Sequence, residues 1–76
     1  MPRLPSLSHK RVIKFLETHG FELDHSAGSH FIYYNEISKR RVTVPTHNRD
    51  VVKSTLLSIL EEAGFSRDDL FEFLRK

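Results

Sequence analysis

The chain has 76 residues, a net charge of +2 and a pI of about 9.2, and it contains no cysteine. This composition predicts one small domain over residues 1–76 with a mild preference for anionic partners, and it excludes a disulfide framework. No apolar run approaches the roughly 20 residues that a membrane-spanning helix needs, and no hydrophobic signal core follows Met1. We therefore expect a cytoplasmic protein without a membrane partner, beginning with an extended lead-in over residues 1–7.

The first predicted helix begins after Ser8, a favourable N-cap residue, and ends at Gly20. The alternating segment FELDHS predicts a half-buried strand in which Leu23 and His25 share a face. After a turn at Ala-Gly-Ser, the segment HFIYYN predicts a second strand and completes a hairpin. The segment RRVTV predicts a third strand, which ends at Pro45 because proline cannot donate to the ladder.

Alternation along the second predicted strand separates its two faces. His30 shares one face with Ile32 and Tyr34, and Phe31 and Tyr33 take the other. We assign Phe31 and Tyr33 to the core, which leaves His30 on the open face or its rim.

Two more helices complete the chain. The second begins between Asp50 and Ser54 and ends at Gly64, and the third opens with Ser66 and Asp69 as a variant capping box. The order α-β-β-β-α-α predicts a two-layer α+β sandwich, with a three-stranded antiparallel sheet and helices on one face. A double-stranded-RNA-binding domain has the same α-β-β-β-α order, although the order of elements does not by itself define a function.

The histidines are the candidates for chemistry. His25, His30 and His47 could suggest a metal site, but no His-x-x-x-His pair lies on a helix and no cysteine is present, so we predict no metal. A nucleophilic Ser29–His30 pair is not expected, because neighbours on a strand point to opposite faces. On residues alone, His30 is either a polar strand residue or an imidazole that the preceding turn holds for chemistry.

Basic residues gather in the first two-thirds of the chain. Lys39, Arg40 and Arg41 are consecutive, and Arg49 and Lys53 lie near the entry to the second helix. Charges in turns are often merely solvated, but beside aromatic strands this cluster also suits a track for nucleic-acid phosphates.

Four segments, taken together, resemble the HicA toxin family of bacterial toxin–antitoxin systems. In order they read VIKFLETHGFEL, GSHFIYY, RRVTVPTH and STLLSILEEAGFSRDDL, and they run from about Lys10 to Leu70. The resemblance implies a fold like that of a double-stranded-RNA-binding domain and a ribosome-independent endoribonuclease that cleaves mRNA. It also implies a HicB-type antitoxin that blocks the active site, and no metal or small-molecule cofactor.

The resemblance assigns the family's catalytic histidine to His30, with Gly28 and Ser29 as the turn that positions it. Neutral His30 would take the proton of a 2′-hydroxyl, which then attacks the adjacent phosphate. The candidates for phosphate contacts or an accessory acid are His47, Arg41, Arg49 and Lys53. We expect Ile32 and Tyr34, on the same face as His30, to meet the antitoxin.

Two departures from the family pattern accompany the resemblance. The turn after the second strand, often Pro-Asp-Gly in the family, reads NEISK here, and a frequent Gly-Thr before the second helix reads Ser54-Thr55. The first could alter access of RNA, whereas Ser54 can serve as an N-cap. The alternatives are a non-catalytic RNA-binding module of the same fold and a domain whose only partner is a neighbouring protein.

Overall fold

The computed structural model describes residues 6–46 and 49–75, which form three helices and five strands. In chain order the elements are β1 (Leu7–Ser8), α1 (His9–Thr18), β2 (Glu22–Ala27), β3 (His30–Asn35), β4 (Arg40–Pro45), β5 (Asp50–Val51), α2 (Lys53–Ala63) and α3 (Arg67–Leu74). Strands β2, β3 and β4 form an antiparallel sheet in that order, and the helices cover one of its faces. The predicted two-layer α+β sandwich, like that of a double-stranded-RNA-binding domain, is confirmed.

The core lies between the helices and the inner face of the sheet. Tyr33 is 3 % exposed and Phe31 packs against the same cluster, which confirms the predicted inner face of β3. Burying each large apolar side chain contributes about 1.5–3 kcal/mol, so this cluster is the main source of stability. The other core residues are Leu7, Val12, Phe15, Leu16, Phe21, Val42, Val44, Val51, Leu56, Ile59, Leu60, Ala63 and Leu70.

Local sequence signals define the helix ends. The Ser8 hydroxyl accepts a hydrogen bond from the amide of Arg11 and caps α1, while Gly20 follows that helix with a φ of +89°. Ser66 and Asp69 form the expected capping box, with both reciprocal bonds present, at the start of α3. These three predictions are confirmed.

Helix α2 begins within the predicted range of Asp50 to Ser54, but Ser54 does not cap it as expected. It begins at Lys53, and its N-cap is Val52, whose side chain makes no capping bond. Ser54 therefore lies inside the helix instead of capping it. The buried face of the helix begins at Leu56, and Val52 before it is 56 % exposed.

The turn between β3 and β4 is organised by one buried amide. The side chain of Asn35 accepts from the backbone amides of Ile37 and Ser38 at 2.9 and 3.0 Å, and it donates to the carbonyl of His19 at 3.1 Å. Lys39 closes the turn with a φ of 62° and donates its amide to the Asn35 carbonyl. This single side chain thus joins the turn to the C-terminal end of α1.

A second, two-residue ladder joins the strand before α1 to the strand before α2. Strands β1 and β5 pair antiparallel, with Leu7 opposite Val51, and the His9 amide donates to the Arg49 carbonyl at 3.1 Å. Leu7 is 9 % exposed and belongs to the core. The entry to α1 is therefore fixed beside the entry to α2.

Candidate active site

His30 is the first residue of β3 and lies on the sheet face that the helices leave open. Its cross-strand partners are Ala27 on β2 and Pro45 on β4, and its imidazole is exposed. Because alternate residues share a face, Ile32 and Tyr34 lie on this side as well, as predicted. The ring is therefore accessible to a substrate that approaches the open face.

The turn that precedes His30 is short and is hydrogen-bonded to the residue after β4. Gly28 has a φ of +60°, and the following Ser29 has no positive φ, which is the pattern of a type II′ hairpin turn. The amide and the hydroxyl of Thr46 both donate to the Ser29 carbonyl, at 2.6 and 2.7 Å. The segment before the imidazole is thereby tied to the end of β4.

A β-bulge in β2 changes which side chains reach the open face. Leu23 pairs with Tyr33 and His25 pairs with Ile32, so Asp24 is an extra residue on β2. Because paired residues share a face, Leu23 lies on the inner side and His25 on the open side. The prediction that Leu23 and His25 share a face is therefore wrong, and so is the half-buried strand, since every residue of β2 is exposed.

Asp24 joins two basic side chains on the open face. Its Oδ2 accepts hydrogen bonds from Nδ1 of His25 at 2.7 Å and from Nη1 of Arg41 at 3.0 Å. The Arg41 guanidinium also lies 4.9 Å from the ring centroid of Tyr34, a cation–π distance. Because a carboxylate offers only acceptors, Nδ1 of His25 carries the proton and Nε2 faces away from Asp24.

These contacts keep Asp24 ionised. The hydrogen bond from His25, and then that from Arg41, hold the pKa of the Asp24 carboxyl below its ordinary value. A carboxylate, a guanidinium and an oriented imidazole therefore form one network across the open face, from β4 to β2.

Ile32 and Tyr34 expose less apolar surface than their position suggested. Ile32 is 9 % exposed, and Tyr34 is half-buried with the guanidinium of Arg41 over its ring. Leu23 and Ile37 are 50 % and 93 % exposed, and they line a cleft at the far end of the β2–β3 hairpin. Contact between Ile32 or Tyr34 and an antitoxin stays a prediction.

The predicted phosphate ligand Arg41 is well separated from His30 along the sheet. Arg41 pairs with Tyr34, four residues beyond His30 on the same strand. At about 3.3 Å per residue, the two levels lie about 13 Å apart. Arg41 would therefore meet a different phosphate of an extended RNA from the one beside His30.

The other predicted contacts follow the end of β4. Arg49 and Lys53 are exposed, and Lys53 is the first residue of α2, whose first turn lacks a side-chain cap. Unpaired amides at such a helix end suit an anionic ligand. His47 lies outside the described residues, so its role as an accessory acid stays a prediction.

Sequence reasoning missed the Asp24–His25 pair. The only signal was the Asp-His dipeptide itself, and in a regular strand these neighbours would point to opposite faces. The bulge brings the two side chains together, and no residue type in FELDHS predicts it.

Two further observations concern the described residues. Within residues 6–46 and 49–75, no three histidine or carboxylate side chains are grouped as a metal ion would require. No helix in the same ranges is long and apolar enough to cross a bilayer.

The fold and the polar open face define a small α+β domain, like a double-stranded-RNA-binding domain, that presents an exposed histidine beside a charged network. The chain belongs to the HicA toxin family of bacterial toxin–antitoxin systems, whose family model matches residues 9–65. No curated protein matches the chain. Membership implies, in general terms, an antitoxin partner and an RNA target.

Proposed function

We propose that this protein is the toxin of a type II toxin–antitoxin pair and that it cleaves mRNA in the cytoplasm, independently of the ribosome and of metal ions. One observation carries the proposal: the Gly-Ser-His segment within the family match ends in an exposed imidazole on the helix-free face of the sheet. A long single-stranded RNA can reach that ring without any rearrangement of the helices.

His30 acts as the general base in this proposal. Its neutral ring takes the proton of a 2′-hydroxyl, and the resulting oxygen attacks the adjacent phosphate. Imidazole suits this step because its unperturbed pKa of about 6.5 lies close to working pH. The anchored turn at Gly28 and Ser29 supports the role, since a base must be held within hydrogen-bond reach of its proton.

The proposed RNA path follows the basic side chains of the open face and the α2 entry. Arg49 and Lys53 are candidates for the phosphate near the reacting one, and Arg41 for a phosphate farther along the strand. Each such contact contributes about −0.7 to the slope of log K against log salt for a single strand. Charge removal at Arg49 or Lys53 should therefore weaken binding and flatten this slope.

A HicB-type antitoxin would neutralise the toxin by covering the same face. Ile32 and Tyr34 are expected within that interface, beside the exposed polar side chains of Asp24, His25 and Arg41. An acidic or hydrogen-bonding partner surface would suit them better than a purely apolar one.

The test is incubation of purified protein with a long single-stranded RNA in EDTA, followed on a denaturing gel. Wild type should cleave, and His30→Ala should lose about 10²–10⁴-fold in rate. Ser58→Ala, an exposed position on α2, is the control and should cleave as wild type does. An RNA with a 2′-deoxy nucleotide at the mapped site should resist cleavage there.

Equal cleavage by wild type and His30→Ala would refute the assignment of the base. Salt-sensitive RNA binding without cleavage by any form would favour the non-catalytic RNA-binding module instead. Absence of RNA binding would leave a domain whose partner is a protein.

A further inference from the structure

We infer that His25 is a second catalytic imidazole, the general acid that protonates the leaving 5′-oxygen, and that Asp24 positions it. This inference rests on the proposed ribonuclease function. It names a residue for the step that His30 alone does not complete, because the departing oxygen also needs a proton.

The bulge is the first observation behind this inference. It puts the successive residues Asp24 and His25 on the same open face, where a regular strand would separate them. Bulges often occur beside active sites because they redirect a side chain.

The register places His25 near His30. His25 pairs with Ile32, two residues from His30 on the same face of β3, so the two histidines are diagonal cross-strand neighbours. Such diagonal neighbours lie about 7–8 Å apart, and their Cβ atoms are somewhat closer. That spacing leaves room for one phosphate group between two rings that each reach it by a hydrogen bond.

The hydrogen bond to Asp24 determines which nitrogen acts. Nδ1 of His25 donates to the carboxylate at 2.7 Å, so only Nε2 is available to substrate. Arg41 holds the same carboxylate oxygen from the other side at 3.0 Å and keeps it in place.

The proposed step balances as follows. Neutral His30 takes the proton of the 2′-hydroxyl, and the 2′-oxygen forms a bond to phosphorus. The bond from phosphorus to the 5′-oxygen breaks, and that oxygen takes a proton from Nε2 of protonated His25. The products are a 2′,3′-cyclic phosphate and a 5′-hydroxyl, while His30 has gained one proton and His25 has lost one.

A change of leaving group tests the role of His25. Once wild type has been used to map a cleavage site, two oligonucleotides with that site are made, one with the natural 5′-oxygen and one with a bridging 5′-sulfur. Sulfur departs as a thiolate without needing a proton, because thiols are far more acidic than alcohols. Cleavage rates are then compared for wild type and for the variants His25→Ala, His25→Gln, Asp24→Asn, His30→Ala and His47→Ala.

We expect the cleavage rates of His25→Ala and His25→Gln to fall about 10²–10⁴-fold on the oxygen substrate. On the sulfur substrate, both variants should recover most of that lost rate. Glutamine can still bond to Asp24, so its failure to rescue the oxygen substrate separates proton donation from packing. Asp24→Asn should show a smaller loss with the same dependence on the leaving group. His30→Ala should lose activity on both substrates.

The inference would be overturned if the His25 variants matched wild type on the oxygen substrate, or if they lost equally on both substrates. If instead His47→Ala lost activity on the oxygen substrate and recovered it on the sulfur substrate, His47 would be the general acid. If His30→Ala is inactive while the His25 variants are fully active, the ribonuclease proposal survives and this inference fails. If wild type cleaves neither substrate, both fail.

Discussion

The side chain of Asn35 offers a quantitative test of how this domain is held together. Asn35→Ala removes three hydrogen bonds, two from turn amides and one to the end of α1, from a residue that is 8 % exposed. At about 0.5–1.5 kcal/mol for each bond, the expected loss is about 3 kcal/mol. A chain of 76 residues has a total stability of roughly 4–11 kcal/mol, so this loss would be a large fraction of it.

Urea unfolding followed by circular dichroism measures this loss. The midpoint for Asn35→Ala should fall while the slope of free energy against urea stays as in wild type. Asn35→Asp keeps two acceptor bonds and loses the donor, so its loss should be intermediate. Ser38→Ala is the matched control, because its backbone amide still donates to Asn35. A loss below about 0.5 kcal/mol for Asn35→Ala would refute the stabilising role of these three hydrogen bonds, since neutral surface substitutions vary by that amount.

Three further outcomes test the helices and the open face. Ser66→Ala removes the capping box and should cost about 1 kcal/mol in urea unfolding, and no change relative to exposed Ser58→Ala would contradict the capping role. Leu70→Ala leaves a cavity at a residue that is 0 % exposed and should cost about 2–5 kcal/mol; a loss within about 0.5 kcal/mol would contradict its burial. The folded pKa of Asp24 is lowered from 3.8, so its ionised form stabilises the fold above pH 3.8, and this contribution disappears as pH falls through the folded pKa. In thermal melts, Asp24→Asn should therefore lose less stability than wild type as pH falls through that acidic range. Equal slopes of melting temperature against pH for the two proteins would contradict the prediction.

Features that depend on neighbouring residues in the chain could be predicted from the sequence. Ser8, Gly20 and the Ser66–Asp69 pair define helix ends through bonds that span three or four residues. Alternation in HFIYYN likewise predicted the two faces of β3, because the bulge lies on β2 and the pairing of β3 with β4 keeps an unbroken register.

Features that depend on distant contacts could not be predicted. The pairing of β1 with β5 joins residues 7–8 to residues 50–51, which are distant in the chain, and neither two-residue strand has a pattern of its own. The sequence left the start of α2 open between Asp50 and Ser54, and the observed start at Lys53 comes shortly after that pairing ends at Val51. The bulge at Asp24 is a mismatch in length between two strands, and single-strand alternation contains no information about its partner.

The bulge in β2 also affects how the molecule meets other copies of itself. β2 is an edge strand of its sheet, and a regular edge of six exposed residues would offer unpaired amides and carbonyls to any passing strand. An extra residue bends and twists that edge, and the charged pair of Asp24 and Arg41 beside it disfavours a close approach by another chain. The irregularity that gathers polar side chains on the open face thus also protects a small protein from edge-to-edge aggregation.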